Sequence, residues 1–334
     1  MNRNLALGGL FIALATLIFS TMEVVLKLPA VAGAFHPMQI TMERFLVGGL
    51  CLIPVAAYTL KKKGVRLTRQ DVAYFALTGL INVPMDMVLY QLAITCGQAN
   101  TVAVIFSGNP IFVTLLAALI LHETVRWNNL LALVFEVFGI LVIVNPFGGG
   151  GVNPQSVCLT VISALFFALY AVLGKRKTAR VGSIVVTCGS FLFGAAELFL
   201  LLLLGYTGLG QNLYHAVHLD IFCRVPFLHG ITAATLPYFL FIGVVNCAAG
   251  YVFHMLAIEK TGAIYGSLVF FFKPILAPLI ALLVLGEAIT PPIALGIVLF
   301  LIGSLLGIVP AARRARLDPP TDPPQEVPHY VRAE

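Results

Sequence analysis

Five acids and two bases fall inside long apolar runs of this chain: Glu23, Glu43, Asp86, Glu136 and Glu197 against Arg44 and Lys273. On insertion scales a charge at the centre of a membrane helix costs about 2.5–3.5 kcal/mol, so each of these groups is read first as a carrier of ions, protons or ligand contacts. Lys273 is the deepest, about eleven residues from either end of its run and beyond the reach of snorkelling. It must be paired, hydrated or deprotonated. Its chemistry suits an anchor for a carboxylate or phosphate, or a protonation switch; the structural alternative is an ion pair with Asp86. For Arg44 a local pair with Glu23 or Glu43 is expected, on a helix taken to be peripheral. Glu136 and Glu197 have no assigned role, a dimer contact being considered for Glu136.

Uncharged polar residues extend the pattern. Asn82, Asp86 and Tyr90 recur at i, i+4 and i+8, one stripe of an α-helix, and Asn246, Gly250 and His254 occupy the same register 164 residues later. Facing stripes would border a midplane cavity; the plainer reading is interhelical hydrogen bonding. Asn109-Pro110 and Lys273-Pro274 also correspond at this spacing. Proline lacks the N–H that the residue four earlier would bind, so breaks that free the Phe106 and Phe270 carbonyls are expected, with Pro278 weakening the second helix again. The candidate substrate or ion site is therefore Lys273, Asp86, Asn82, Asn246, Tyr90, His254, Asn109 and Glu23. No GxxxxGK[ST], GxSxG or HExxH element occurs, and the six cysteines contain no CxxC pair. Neither catalysis, cofactor, metal nor ATP is indicated. Proton coupling would run through Asp86, Glu23 or Lys273.

These residues have to be positioned by membrane helices. Sixty per cent of the chain is apolar and ten per cent charged, with a mean hydropathy of +0.99, outside the range of soluble domains. Continuous runs able to cross a hydrocarbon core of about 30 Å lie near 6–27, 37–60, 72–96, 99–121, 128–145, 155–174, 181–205, 231–255, 262–285 and 291–310. The first is read as a retained span. Residues 69–146 laid on 233–310 without a gap give 22 identities over 78 positions, including Asn82/Asn246, Pro110/Pro274, Glu123/Glu287, Gly139/Gly303 and Pro146/Pro310. Two copies separated by an odd number of spans predict an all-α integral membrane protein of ten transmembrane helices in two inverted five-helix repeats. The repeats cover 1–147 and 155–310, joined by a glycine-rich linker at 148–154. The second carries an insertion at 206–230 with an interfacial helix considered in it, and 311–334 is expected to be a disordered cytoplasmic tail.

Basic residues cluster at alternate ends of the runs, with Lys61–Lys63, Arg66, Arg69 and Lys175–Lys177 on one side and only Lys27 and Arg224 near the other. By the positive-inside rule both termini are cytoplasmic. The formal charge of +6 thus reflects sidedness, and nucleic acid is not an expected partner. Glu123 and Glu287 end corresponding helices on opposite sides and are expected to cap the helix that follows each.

The first helix ending in Lys27, the stretch Pro110–Glu123 followed by Gly139, and its counterpart Pro274–Glu287 followed by Gly303 resemble EamA-type members of the drug/metabolite transporter superfamily over residues 6–310. The resemblance implies a central cavity lined by the first, third and fourth helices of each half, with alternating access. Phe19-Ser20 stands where such helices often carry tryptophan-glycine, and Glu23 stands at a usually neutral position. The implied function is secondary transport, as an exporter, of a small polar or zwitterionic, amino-acid-like metabolite across a bacterial inner membrane. The partners would be the small-molecule substrate and lipid, and the protein a monomer or homodimer. The excess of acids keeps organic-cation efflux as the competing reading; an intramembrane enzyme would need a motif that is missing.

Overall fold

The computed structural model describes residues 3–121, 127–144, 152–261 and 268–317, and among these all regular structure is helical. The first half holds α1 (Arg3–Lys27), the short α2 (Pro29–Ala32), α3 (Pro37–Lys63), α4 (Arg69–Leu80), α5 (Val88–Cys96), α6 (Ala99–Phe106), α7 (Asn109–Leu121) and α8 (Trp127–Val144). The second holds α9 (Pro154–Val181), α10 (Ser183–Leu204), α11 (Gly208–Ala216), α12 (Leu236–Leu240), α13 (Gly250–Thr261), α14 (Leu268–Leu285) and α15 (Pro291–Leu317). Among the described residues, seven stretches are long and apolar enough to cross a membrane: Leu7–Lys27, Pro37–Lys63, Arg69–Cys96, Ala99–Ile120, Pro154–Thr178, Ser183–Leu204 and Leu236–Ala257. Leu130–Val144, Val269–Leu285 and Pro291–Gly303 are shorter apolar helices. Glu123, the linker core at 145–151 and the tail from Asp318 lie outside the described residues.

Local chemistry explains the helix ends. His36 Nδ1 accepts from Met38 N while Gln39 Oε1 accepts from His36 N, and Pro37 supplies a pre-set first turn. Thr68 and Asp71 form the equivalent box before α4. Gly64 ends α3 with φ +64, a left-handed conformation that glycine adopts without a Cβ penalty.

Two interruptions matter for the site. The fourth span breaks at Ser107-Gly108, between α6 and α7, as the Asn109-Pro110 pair predicts. The ninth does not break: α14 runs through Pro274 and Pro278. The third and eighth spans instead carry π-helical segments, Ile81–Met87 between α4 and α5 and Phe241–Ala249 between α12 and α13. Hydrogen bonds to the fifth residue back widen each turn there, so the polar stripes do not follow regular α-spacing. Pro84, which has no N–H to donate, lies inside the first segment and was a signal for it.

Packing exchanges the halves. α1 lies against α13 and α14, whereas α9 lies against α5, α6 and α7. α3 packs on α10 and on the Phe241–Ala249 segment, α10 also on α4, and α8 on α15. Close approach requires glycine where α4 meets α10: a Cβ on Gly79 would stand 2.6 Å from Gly194 N. Its repeat mate Gly243 meets α3, where a Cβ would stand 2.7 Å from Val47 Cγ1. Leu119, Leu200 and Leu283 are exposed, as a lipid-facing perimeter requires.

Candidate functional site

Lys273 Nζ lies 2.6 Å from Glu23 Oε1, with side-chain exposures of 3% and 0%. The partner is neither Asp86 nor a distant anion: α14 packs directly on α1, which brings the lysine to the glutamate. The ammonium also lies 5.1 Å from the Phe106 ring centroid and 6.0 Å from that of Tyr90, distances at which an aromatic face attracts a cation. Tyr90 is itself within electrostatic reach of Glu23. Three spans of the first half and one of the second therefore meet at this pair.

Asp86 is fully buried and receives Ser163 Oγ of α9 at 2.6 Å, while its Oδ2 has no hydrogen-bond partner in the protein. Arg44 is next to it electrostatically. This arginine, expected to be peripheral and paired with Glu23 or Glu43, is 0% exposed and forms no ion pair with a carboxylate among the described residues. Its Nη1 and Nη2 meet the sulfurs of Met22 and Met87 at 3.3 and 3.5 Å. Glu43 turns instead to Gln39, accepting from Nε2 at 3.1 Å.

The remaining predicted residues divide between this centre and its supports. Asn82 is fully buried with neither amide atom bonded. His254 stands between the rings of Phe19 and Phe270, at 5.9 and 5.5 Å, with Nδ1 unpartnered. Asn246 ties the eighth span to α1 through Ile18 O at 2.8 Å and Thr21 Oγ1 at 3.1 Å, leaving its Oδ1 free. Asn109 ties α7 to α9 through Ala164 O at 2.7 Å. The repeat-related pair Asn109 and Lys273 thus each grip the first helix of the opposite half. Phe106, Phe167, Phe270 and Tyr251 link these groups in a chain of ring contacts of 5.4–6.3 Å.

At the end of α1, Lys27 bonds the Gly97 carbonyl and lies 3.1 Å from Glu287 Oε1. Glu287 accepts from Ala99 N and Asn100 N, each at 3.0 Å. It therefore caps α6, not the helix that follows it, because the exchanged packing carries the end of α14 to the start of the fourth span. Glu136 likewise faces inward: a Cβ on Gly108 would stand 2.7 Å from its Oε2, and one on Gly303 3.2 Å from its Cγ. That places it in the packing of α8 and α15, buried at 4% exposure.

Comparison with known proteins decides the relationship. The model of the EamA-like transporter family matches residues 6–145 and 155–309. The chain belongs to this family. An uncharacterized transporter of Clostridium kluyveri is 33% identical to this EamA-like transporter over 304 residues, 90% of this chain and 92% of that protein. A probable terminal-alkyne amino-acid exporter of Streptantibioticus cattleyicolor is 27% identical over 288 residues, 83% and 86% of the two chains. The pseudopaline exporter CntI of Pseudomonas aeruginosa is 27% identical over 173 residues, 52% and 58%. A solved crystal structure superposes with a TM-score of 0.60 at 17% identity, covering 92% of this chain and 97% of its own, which shows a shared fold. The chain is thus a multi-pass membrane protein whose relatives bear transporter names.

The sequence under-weights Arg44 and gives no sign of Ser163 and Tyr251. Arg44 carried the same signal as Lys273, a charge within an apolar run. Tyr251 and Ser163 carried none, since single hydroxyls in apolar helices are common.

Proposed function

We propose that this EamA-like transporter is a secondary active exporter of a small polar or zwitterionic, amino-acid-like metabolite. It works by alternating access between two inverted five-helix halves, with both termini cytoplasmic in a bacterial inner membrane and proton coupling or exchange as the driving force. The observation that carries the reading is the buried Lys273–Glu23 pair among buried polar atoms left without partners, at Asn82, Asp86, Asn246 and His254. A buried pair costs nearly as much to desolvate as its attraction returns, so it is a poor device for stability alone. It is a good one for a switch, because a proton on Glu23 or a substrate charge competes directly for the same partner. The exchanged packing of α1 and α9 supports the inverted arrangement, each half lending its first helix to the third and fourth spans of the other. The names of the amino-acid and pseudopaline exporters support the substrate class and direction.

Proteoliposomes test this. With an imposed pH gradient, radiolabelled amino acids and quaternary amines are each offered for flux. Gradient-dependent movement of an amino acid, abolished in Lys273→Ala, is the expected result. Flux of the amines alone would turn the reading to organic-cation efflux, and no gradient-dependent flux of either would remove it.

A further inference from the structure

Lys273 was the expected anchor for a substrate anion, yet in the structure Glu23 already holds it. The other buried cation is under-satisfied. Arg44 is fully buried, its Nε has no hydrogen-bond partner, Nη1 and Nη2 donate to thioether sulfurs, and the Phe45 ring centroid lies 4.9 Å from Cζ without filling any N–H in the plane of the fork. Sulfur of this kind is a weak acceptor, whereas a guanidinium has five N–H donors in a rigid fork. Its Nε–Nη2 edge therefore holds one unfilled donor and one weakly filled donor side by side, the arrangement that accepts both oxygens of a carboxylate. Methionine side chains are flexible enough to move aside. Asp86, which feels the Arg44 charge, takes its hydrogen bond from Ser163 and keeps Oδ2 unpartnered, and no carboxylate among the described residues pairs with the fork.

We propose that Arg44 is the receptor for a substrate carboxylate, which makes the cargo a carboxylic acid; this deepens the transport reading above and rests on it. The Lys273–Glu23 pair is then left for coupling. The carboxylate docks on the Nε–Nη2 edge, displaces the Met87 sulfur, and sets its remaining groups towards Asp86 Oδ2. An amide of the same shape cannot replace it, because it brings an NH2 donor against a donor and no charge.

The test is thermal stabilisation of the full chain in nanodiscs by a ladder that varies one group at a time: L-phenylalanine, 3-phenylpropionate, L-phenylalaninamide and phenethylamine, with L-glutamate and lactate as further acids. Acids should stabilise the wild type where the amide and amine do not. Arg44→Gln should raise the half-maximal acid concentration by about tenfold or more, and Arg44→Lys, which keeps charge without the fork, should fall between. The wild-type ladder stands even if the variants fold poorly. Equal stabilisation by amine and acid, acid binding unchanged in Arg44→Gln, or no stabilisation by any acid would overturn the assignment. Arg44-dependent acid binding without gradient-driven flux would leave the site standing and remove the transport reading; gradient-driven amino-acid flux with acid binding unchanged in Arg44→Gln would do the reverse.

Discussion

Glu287, at the end of α14, receives the first two backbone N–H groups of α6, while Lys27 from α1 lies against the same carboxylate. One side chain thus closes three helices from both halves at one end of the bundle. Glu287→Ala should cost about 1–3 kcal/mol, the range for charge-assisted bonds and lost caps. Glu287→Gln, which keeps one acceptor oxygen, should recover part of it. Thermal unfolding in detergent reads the difference, and equal melting temperatures for both variants and the wild type would show that the cap is idle.

Lys273→Ala strands Glu23 in a buried site, at a cost of about 3–5 kcal/mol. The double variant Lys273→Met with Glu23→Gln should regain most of that stability and still not transport. Separating the two readouts in this way tells a switch from a brace. A double variant with wild-type flux would assign the pair to architecture.

The two matched asparagines should behave differently. Asn246→Leu removes a donor from the buried Ile18 carbonyl and should cost about 1–3 kcal/mol. The Asn82 side chain makes no hydrogen bond among the described residues, so Asn82→Leu should leave stability unchanged or raised while lowering flux. A large destabilisation of Asn82→Leu would place it among the structural residues.

Single-cysteine labelling in intact cells checks sidedness. Positions 63 and 177 should resist a membrane-impermeant maleimide until the cells are opened, because the basic residues cluster there. Labelling of either from outside would end the inverted-repeat arrangement.

An all-helical membrane fold was legible from hydropathy, since continuous apolar runs separated by charges leave few other solutions, and the break at Ser107-Gly108 followed from Asn109-Pro110. The intact α14 did not follow, because two prolines in a helix predict lost bonds but not whether neighbours absorb the bend. The π segments were half legible: Pro84 signals one, while Phe241–Ala249 has no proline to mark it. Pairings were the least legible. Whether Glu23 meets Arg44 or Lys273 depends on which half α1 leans upon, and only tertiary packing decides that.

The exchange of first helices has a consequence for biogenesis. α1 enters the bilayer at the start of synthesis, yet the surfaces that bury it, α13 and α14, are made near the end. Until then Glu23 has no Lys273 to meet, and a carboxyl in an apolar helix must rely on transient partners. Such distant contacts make assembly slow and leave the nascent chain exposed. A chain truncated after α9 therefore lacks the two helices, α13 and α14, that bury most of the first.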